Sequence, residues 1–172
     1  MSAYITLATP MIDQECLLLA LRDVGFTQEC IEVHGEPVQL VGYEGRQRQQ
    51  LAHIIVRRKH VGRASNDIGF ERTTTGFQAH ISGYDHPRYG GSWLKRVHVR
   101  YAEHNSAKQE RLAKLEDRRL AEIEARRREE ERQNLVEAQR KAVREKARKM
   151  GYRVKETREG ERIRLVLVKR VY

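Results

Sequence analysis

The residues best equipped for chemistry in this chain are basic. Arg46 and Arg48 share a polar stretch at 45–50, and Arg57-Arg58-Lys59-His60 form a run. Arg88 precedes Tyr89, and Lys95, Arg96 and Arg100 follow shortly after. Such side chains contact phosphates, and an interleaved aromatic offers a face on which a base can stack. Together they predict a surface for a partner, whether protein or nucleic acid. No RNA-binding signature accompanies them. Farther along, bases alternate with acids, which argues against a continuous phosphate track.

A second constellation is Asp67-Ile68-Gly69-Phe70, with Tyr101 farther on. Asp67 reads as a strand-end carboxylate that satisfies nearby backbone donors, and Gly69 fits a bulge or a close backbone approach. The competing, enzymatic reading centres on Asp67 and Tyr101. Little else supports catalysis, so no catalytic residue is assigned. The glycines between Gly83 and Gly91 lack both the Gly-Lys-Ser/Thr sequence and dinucleotide spacing. The seven histidines are scattered, and His98 and His104 fall on different helical faces. With no His-Glu-x-x-His and no Cys-x-x-Cys, neither a metal nor a cofactor is expected. His80, inside a strand-like stretch, reads as a satisfied sheet histidine.

The chain of 172 residues carries a net charge of +10, a pI near 9.9 and 34% charged residues. That balance suits an acidic partner: nucleic acid, an acidic protein surface or an anionic membrane. No apolar run approaches the ~20 residues that a membrane-crossing helix needs. The opening MSAYITLATPMIDQE has neither the basic start nor the apolar stretch of a secretory leader. Two cysteines, Cys16 and Cys30, without metal-like spacing suit a reducing compartment, so a cytoplasmic location is expected.

Several elements must position these residues. Ala3–Leu7 predicts a strand, and Asp13 caps a helix that reaches Val24 and ends at Gly25. Ile31–His34 and Val38–Val41 read as a hairpin turned by Gly35-Glu36-Pro37. Leu51–Val56 predicts a strand buried on both faces, and Asp67–Arg72 with Phe77–Ser82 predicts a second hairpin. Ser92 is expected to cap a helix whose Trp93, Leu94, Val97 and Tyr101 form one stripe facing the sheet.

From Ser106 to Lys149 the chain is helix-forming and free of Gly and Pro, with fifteen Lys or Arg against ten Asp or Glu in 108–149. A heptad seam fails, since a register set on Leu112 and Leu115 meets Arg119, Glu122 and Arg126 next. Acid-then-base pairs at i,i+4 recur instead, among them Glu110–Lys114, Glu122–Arg126, Glu124–Arg128, Glu137–Lys141 and Glu145–Lys149. Two arrangements suit this run. One is a single helix of roughly 85 Å from Ser92 to Lys149, and the other a helical hairpin turning near Gln133-Asn134. Ser106 with Gln109 marks a point where a helix could restart. Neither arm has a broad apolar face to pack, which favours the single helix. A closing hairpin, Tyr152–Thr157 and Ile163–Lys169 about Arg158-Glu159-Gly160, completes the chain.

Two parts of the sequence echo each other. Val24-Gly25-Phe26 matches Met150-Gly151-Tyr152, and Gly35-Glu36-Pro37-Val38-Gln39-Leu40-Val41 matches Gly160-Glu161-Arg162-Ile163-Arg164-Leu165-Val166. Two helix-plus-hairpin units are therefore expected to bury their apolar faces on one shared sheet. The same landmarks carry a family resemblance. Asn66-Asp67-Ile68-Gly69-Phe70, Arg100-Tyr101-Ala102 and the closing Gly151-Tyr152 hairpin resemble the hypothetical chloroplast reading frame thirty-five family, whose relatives elsewhere form a domain of unknown function. The resemblance covers about 1–106 and 141–172, with some 35 charged residues inserted. It implies an accessory role, with an AAA-type ATPase as a possible partner.

The expected fold is α+β: a small, mostly antiparallel sheet built from the two pseudo-repeated units, with a long charged helix projecting from it. Residues 1–105 and 150–172 would form one domain, and 106–149 the extension. The leading functional expectation is a non-enzymatic adaptor that docks a partner protein and uses the helix as spacer or contact surface. The alternative is a basic RNA- or DNA-associated protein acting through residues 46–60 and 88–100.

Overall fold

A computed structural model describes residues 3–159 and 162–169 of the chain. The fold is α+β, and the chain divides into two compact units, residues 1–112 and 113–172.

The first unit is built on a five-stranded antiparallel sheet in the order β1-β5-β4-β3-β2. Its strands are β1 (Tyr4–Ala8), β2 (Ile31–Val41), β3 (Gln47–Val56), β4 (Ile68–Thr73) and β5 (Gly76–Ser82). Between β1 and β2 lies α1 (Gln14–Asp23), which starts as its sequence dictates. The Asp13 side chain accepts from the Cys16 amide at 2.9 Å, and Gly25 leaves the helix at φ +110°. Short helices α2 (Arg58–Val61) and α3 (His86–Tyr89) follow β3 and β5.

One face of the sheet carries the main core. Leu17, Ala20 and Leu21 of α1 meet Ile54, Val56, Phe70, Phe77 and Ile81, all fully buried. Trp93, Leu94, Val97 and Tyr101 close this core as the stripe predicts. Trp93 stands edge-on to Phe26 and Tyr89, with centroids 6.0 and 5.4 Å away. Burying each such aromatic contributes on the order of 2 kcal/mol.

The opposite face carries a smaller cluster of Leu40, Ala52 and Ile55, with Tyr4 and Val38 against it. It forms because β2 is not two strands. Gly35-Glu36-Pro37, expected as a hairpin turn, lies inside one eleven-residue strand where the register with β3 shifts between Val33 and Val38. Such an irregularity bends a strand and sharpens its twist. Leu40 is then seated over Gly69, where a β-carbon would come within 2.7 Å of the Ala52 β-carbon and 2.8 Å of both Leu40 methyls. The real β2–β3 turn is a tight 3-10 turn at Tyr43–Gly45.

The long helix α4 (Gly91–Lys149) is continuous through both Ser106 and Gln133-Asn134. It therefore neither restarts nor folds into a helical hairpin, and Ser92 lies within its first turn. Of the expected i,i+4 pairs, Glu124–Arg128 is present at 2.6 Å, whereas Arg126 pairs forward with Glu130 at 3.2 Å.

In the second unit, β6 (Tyr152–Glu159) and β7 (Arg162–Lys169) form a two-stranded antiparallel sheet of their own. The shared sheet expected from the internal repeat is thus corrected: among the described residues, neither strand pairs with the first sheet. The Gly160-Glu161 portion of the repeat and its turn lie outside the described residues.

Candidate binding surfaces

The sequence placed Arg46 and Arg48 in a loop and Arg58 in a separate basic run. The fold brings all three to one place. The β2–β3 turn, the segment before β4 and the turn after β5 enclose a recess of about 280 Å³. It is lined by Tyr43, Glu44, Arg46, Arg48, Ala64, Asn66 and Tyr84. The Arg58 guanidinium lies over the Tyr43 ring, 5.4 Å from its centroid. Tyr43 and Tyr84 are 48% and 60% exposed, which leaves substantial ring surface for a ligand. Arg48 sits at the start of β3, so the expected 45–50 loop is corrected to a turn followed by strand.

The walls are fixed by a buried polar network. Asn66, only 2% exposed, accepts the Tyr43 amide at 2.9 Å and the Arg48 guanidinium at 3.4 Å. Its side-chain amide donates to Ser82 Oγ at 2.9 Å and to Asp85 Oδ2 at 3.2 Å. Ser82 Oγ in turn donates to Asp85 at 2.5 Å. Every side-chain hydrogen-bonding direction of Asn66 is therefore used internally, and its role is to hold Tyr43. Gly42 admits the Arg48 guanidinium, with which a β-carbon there would collide. The Arg48 Nε–H is buried and has no hydrogen-bond partner among the described residues. Glu44 adopts φ 61°, ψ 20°, a left-handed backbone uncommon outside glycine. Its carboxylate is held by Arg46 at 3.3 Å.

Asp67 lies directly behind this region and is fully buried. Its carboxylate accepts the Val41 amide at 2.8 Å, the Arg58 amide at 2.7 Å and Arg57 Nη1 at 2.9 Å. That is the backbone-satisfying role read from the sequence, with an ion pair added. Arg57 also holds Glu32 at 2.6 Å, and its hydrogen bond keeps the Glu32 carboxyl below its usual range. Tyr4 donates its hydroxyl to the Asp67 carbonyl at 2.9 Å; burial, reinforced by Asp67, pushes that hydroxyl well above its ordinary pKa. Arg57 is consequently a structural cation, while Lys59 is exposed. Phe70 and Gly69 belong to the two cores and present nothing to solvent.

Tyr101 bonds elsewhere. Its hydroxyl accepts the amides of Ile12 and Asp13, both at 3.0 Å, and so pins the start of α1 to α4. Asp67 and Tyr101 serve different elements, and no hydrogen bond joins them. Nearby, Lys108 bridges Asp13 and Glu15 at 2.8 Å each. Burial alone would raise the Asp13 carboxyl, but bonds from Lys108 and Cys16 outweigh it and hold the pKa below its usual range. His80 is satisfied on both nitrogens, by Thr6 at 3.0 Å and Glu71 at 2.9 Å.

Two expected contributors are not in the recess. Tyr89, paired with Arg88 as a stacking candidate, is 7% exposed and packs on Phe26 and Trp93, so it is core; Arg88 lies over its ring at 5.1 Å. Lys95, Arg96 and Arg100 line a separate shallow groove with Asp23, Val24, Val99 and Glu103. Tyr43 and Tyr84, which carry the recess, were missed. They are 41 positions apart with no basic neighbour on either side, and the β2–β3 turn and the turn after β5 bring them to one recess.

The unit 113–172 carries a different surface. In the hairpin, Val166, Leu167 and Val168 are 40%, 52% and 45% exposed. Along α4, Leu115, Leu120 and Ile123 are 54–56% exposed. Glu156 of β6 is held by Arg140 at 3.6 Å and by Arg144. Among the described residues, no three His, Cys, Asp or Glu side chains group as a metal site would need. No helix of the described residues is long and apolar enough to cross a membrane. Compared with known protein families, curated proteins and solved structures, the chain has no match, and its function must be read from these surfaces.

Proposed function

We propose that this protein is a non-enzymatic adaptor whose 113–172 unit docks a partner protein. The hairpin carries the reading. An isolated two-stranded hairpin is marginal in water and needs a further layer to cover it. Here three consecutive aliphatics, Val166, Leu167 and Val168, remain 40–52% exposed, on both faces of the hairpin. Exposed aliphatics concentrated on one element, rimmed by charge, suit a protein contact. The test replaces Val166 and Val168, which share a face, with lysine and compares proteins recovered with each full-length chain. Stoichiometric recovery of one protein with the wild type, and its loss with the variant, supports docking. Equal recovery removes the hairpin from the interface. No stoichiometric partner under any condition overturns the adaptor reading.

A second reading is favoured by the recess in the 1–112 unit. Two exposed tyrosines and the cations Arg46, Arg48 and Arg58 about one concavity are what single-stranded nucleic acid binding uses: stacking faces and phosphate contacts. Under this reading the affinity of a mixed oligonucleotide falls steeply with salt. A flat salt response would refute it.

A further inference from the structure

We infer that the Tyr43–Tyr84 recess is a guanine site, reading the base through Glu44 and Arg48. The inference rests on the nucleic-acid reading and sharpens it. Basic and aromatic groups alone would serve any base. The recess departs from that in holding a carboxylate. Glu44 lines it, on a left-handed backbone at φ 61° that a non-glycine residue adopts at a cost of ~1–2 kcal/mol. Strain of this kind concentrates where a side chain must be aimed at a ligand. Arg46 steadies the carboxylate from one side at 3.3 Å.

Arg46 already meets Glu44 Oε2, and a carboxylate can accept further donors from a ligand. Among the four bases, guanine alone offers two adjacent donors, N1–H and the 2-amino group, on its pairing edge. Its other edge presents two adjacent acceptors, O6 and N7, the pair that a guanidinium takes in bidentate fashion. Uracil, cytosine and adenine each lack at least one of these pairs. Arg48 supplies a matching guanidinium: it lines the recess and makes one long bond to Asn66, at 3.4 Å. A volume near 280 Å³ lies at the small end of ligand sites and suits one base better than several. Since the pairing edge must be open, the ligand is single-stranded or a free nucleotide.

The experiment measures fluorescence anisotropy of the full-length protein with labelled oligouridine of about twelve nucleotides. Three further probes carry one central G, A or C, and each is made as RNA and as DNA. The expected result is tighter binding of the G probe by about tenfold, the value of one good bidentate contact. Glu44→Gln, which keeps size and backbone preference, should cut that margin, read as the ratio of G-probe to oligouridine affinity, with the melting temperature unchanged. Competition by free guanosine monophosphate supports the same site and assigns it to a nucleotide instead of a strand. Equal affinity for all four probes, or a G preference undiminished by Glu44→Gln, overturns the guanine assignment and leaves general strand binding intact. Failure of every probe and of the mononucleotide overturns both.

Discussion

Asp67→Asn should destabilise the 1–112 unit by about 3 kcal/mol, mostly through donors that it leaves unanswered. The carboxylate accepts three hydrogen bonds of 2.7–2.9 Å in a fully buried position. Asparagine has nearly the same shape, but one of its two terminal groups is a donor. It can answer the Val41 and Arg58 amides only in part, and it turns an N–H toward a donor on one side. Each unanswered buried amide costs ~1–3 kcal/mol, and a broken buried ion pair ~3–5 kcal/mol. These costs do not add, because Arg57 keeps Glu32 at 2.6 Å and is itself 22% exposed. A value near the lower bound follows. Trp93, the one tryptophan of the chain and only 2% exposed, reports unfolding of this unit without reference to the hairpin. In urea, with a slope of ~2 kcal/mol/M, the midpoint should fall by about 1.5 M. Arg57→Met should cost a comparable amount, since both backbone amides keep their acceptor but the fully buried carboxylate loses its counter-charge. A midpoint shift below about 0.5 M for Asp67→Asn would refute this account of the residue.

Three other outcomes follow from the same geometry. Gly69→Ala should cost about 1–3 kcal/mol in the same unfolding assay, because the new methyl meets Ala52 and both Leu40 methyls at 2.7–2.8 Å; adding Ala52→Gly should restore part of the loss, and a neutral Gly69→Ala would show that β2 does not press on β4. Tyr101→Phe should cost about 1–2 kcal/mol by leaving the Ile12 and Asp13 amides without an acceptor, while changing no binding property; loss of binding without loss of stability would revive a functional role for this hydroxyl. Glu32 and Asp13 both titrate below their ordinary values in the folded chain. The unfolded chain therefore takes up protons first, so their stabilisation is complete above the ordinary carboxylate range, near pH 4, and drains away as the pH falls below it. Trp93 melting curves from pH 6 to pH 2 should show this decline, and Lys108→Met should make it shallower.

What was legible in the sequence was local. Asp13 and Gly25 delimited α1 because a cap and a left-handed glycine act within a few residues. The 93–101 stripe gave the face of α4 that is buried, and Asp67 gave its own backbone-satisfying role. The recess was not legible, because it depends on where a strand bends. Gly35-Glu36-Pro37 has the composition of a turn, yet β3 is long enough to pair on both sides of it, and pairing wins. Arg46, Arg48 and Arg58 could be named from charge alone. Tyr43 and Tyr84, the aromatic half of the same site, could not, and Tyr89 stands out in their place because it adjoins an arginine.

The internal repeat shows how far a local signal carries. Gly25 and Gly151 take positive φ, +110° and +77°, each just past a helix and followed by an aromatic. Up to that point the two copies agree. They part at the next step: Phe26 is 6% exposed and joins Trp93 and Tyr89, whereas Tyr152 opens a two-stranded sheet of β6 and β7. A helix-plus-hairpin unit has one apolar face to bury, and the first copy buries it under a sheet of five strands. The second has two strands and a charged helix, and it leaves Val166, Leu167 and Val168 40–52% exposed. A shared sheet would have satisfied both copies within the chain. Among the described residues they share none, so Val166, Leu167 and Val168, exposed on both faces of the hairpin, are the physical reason to look for a complement on another molecule.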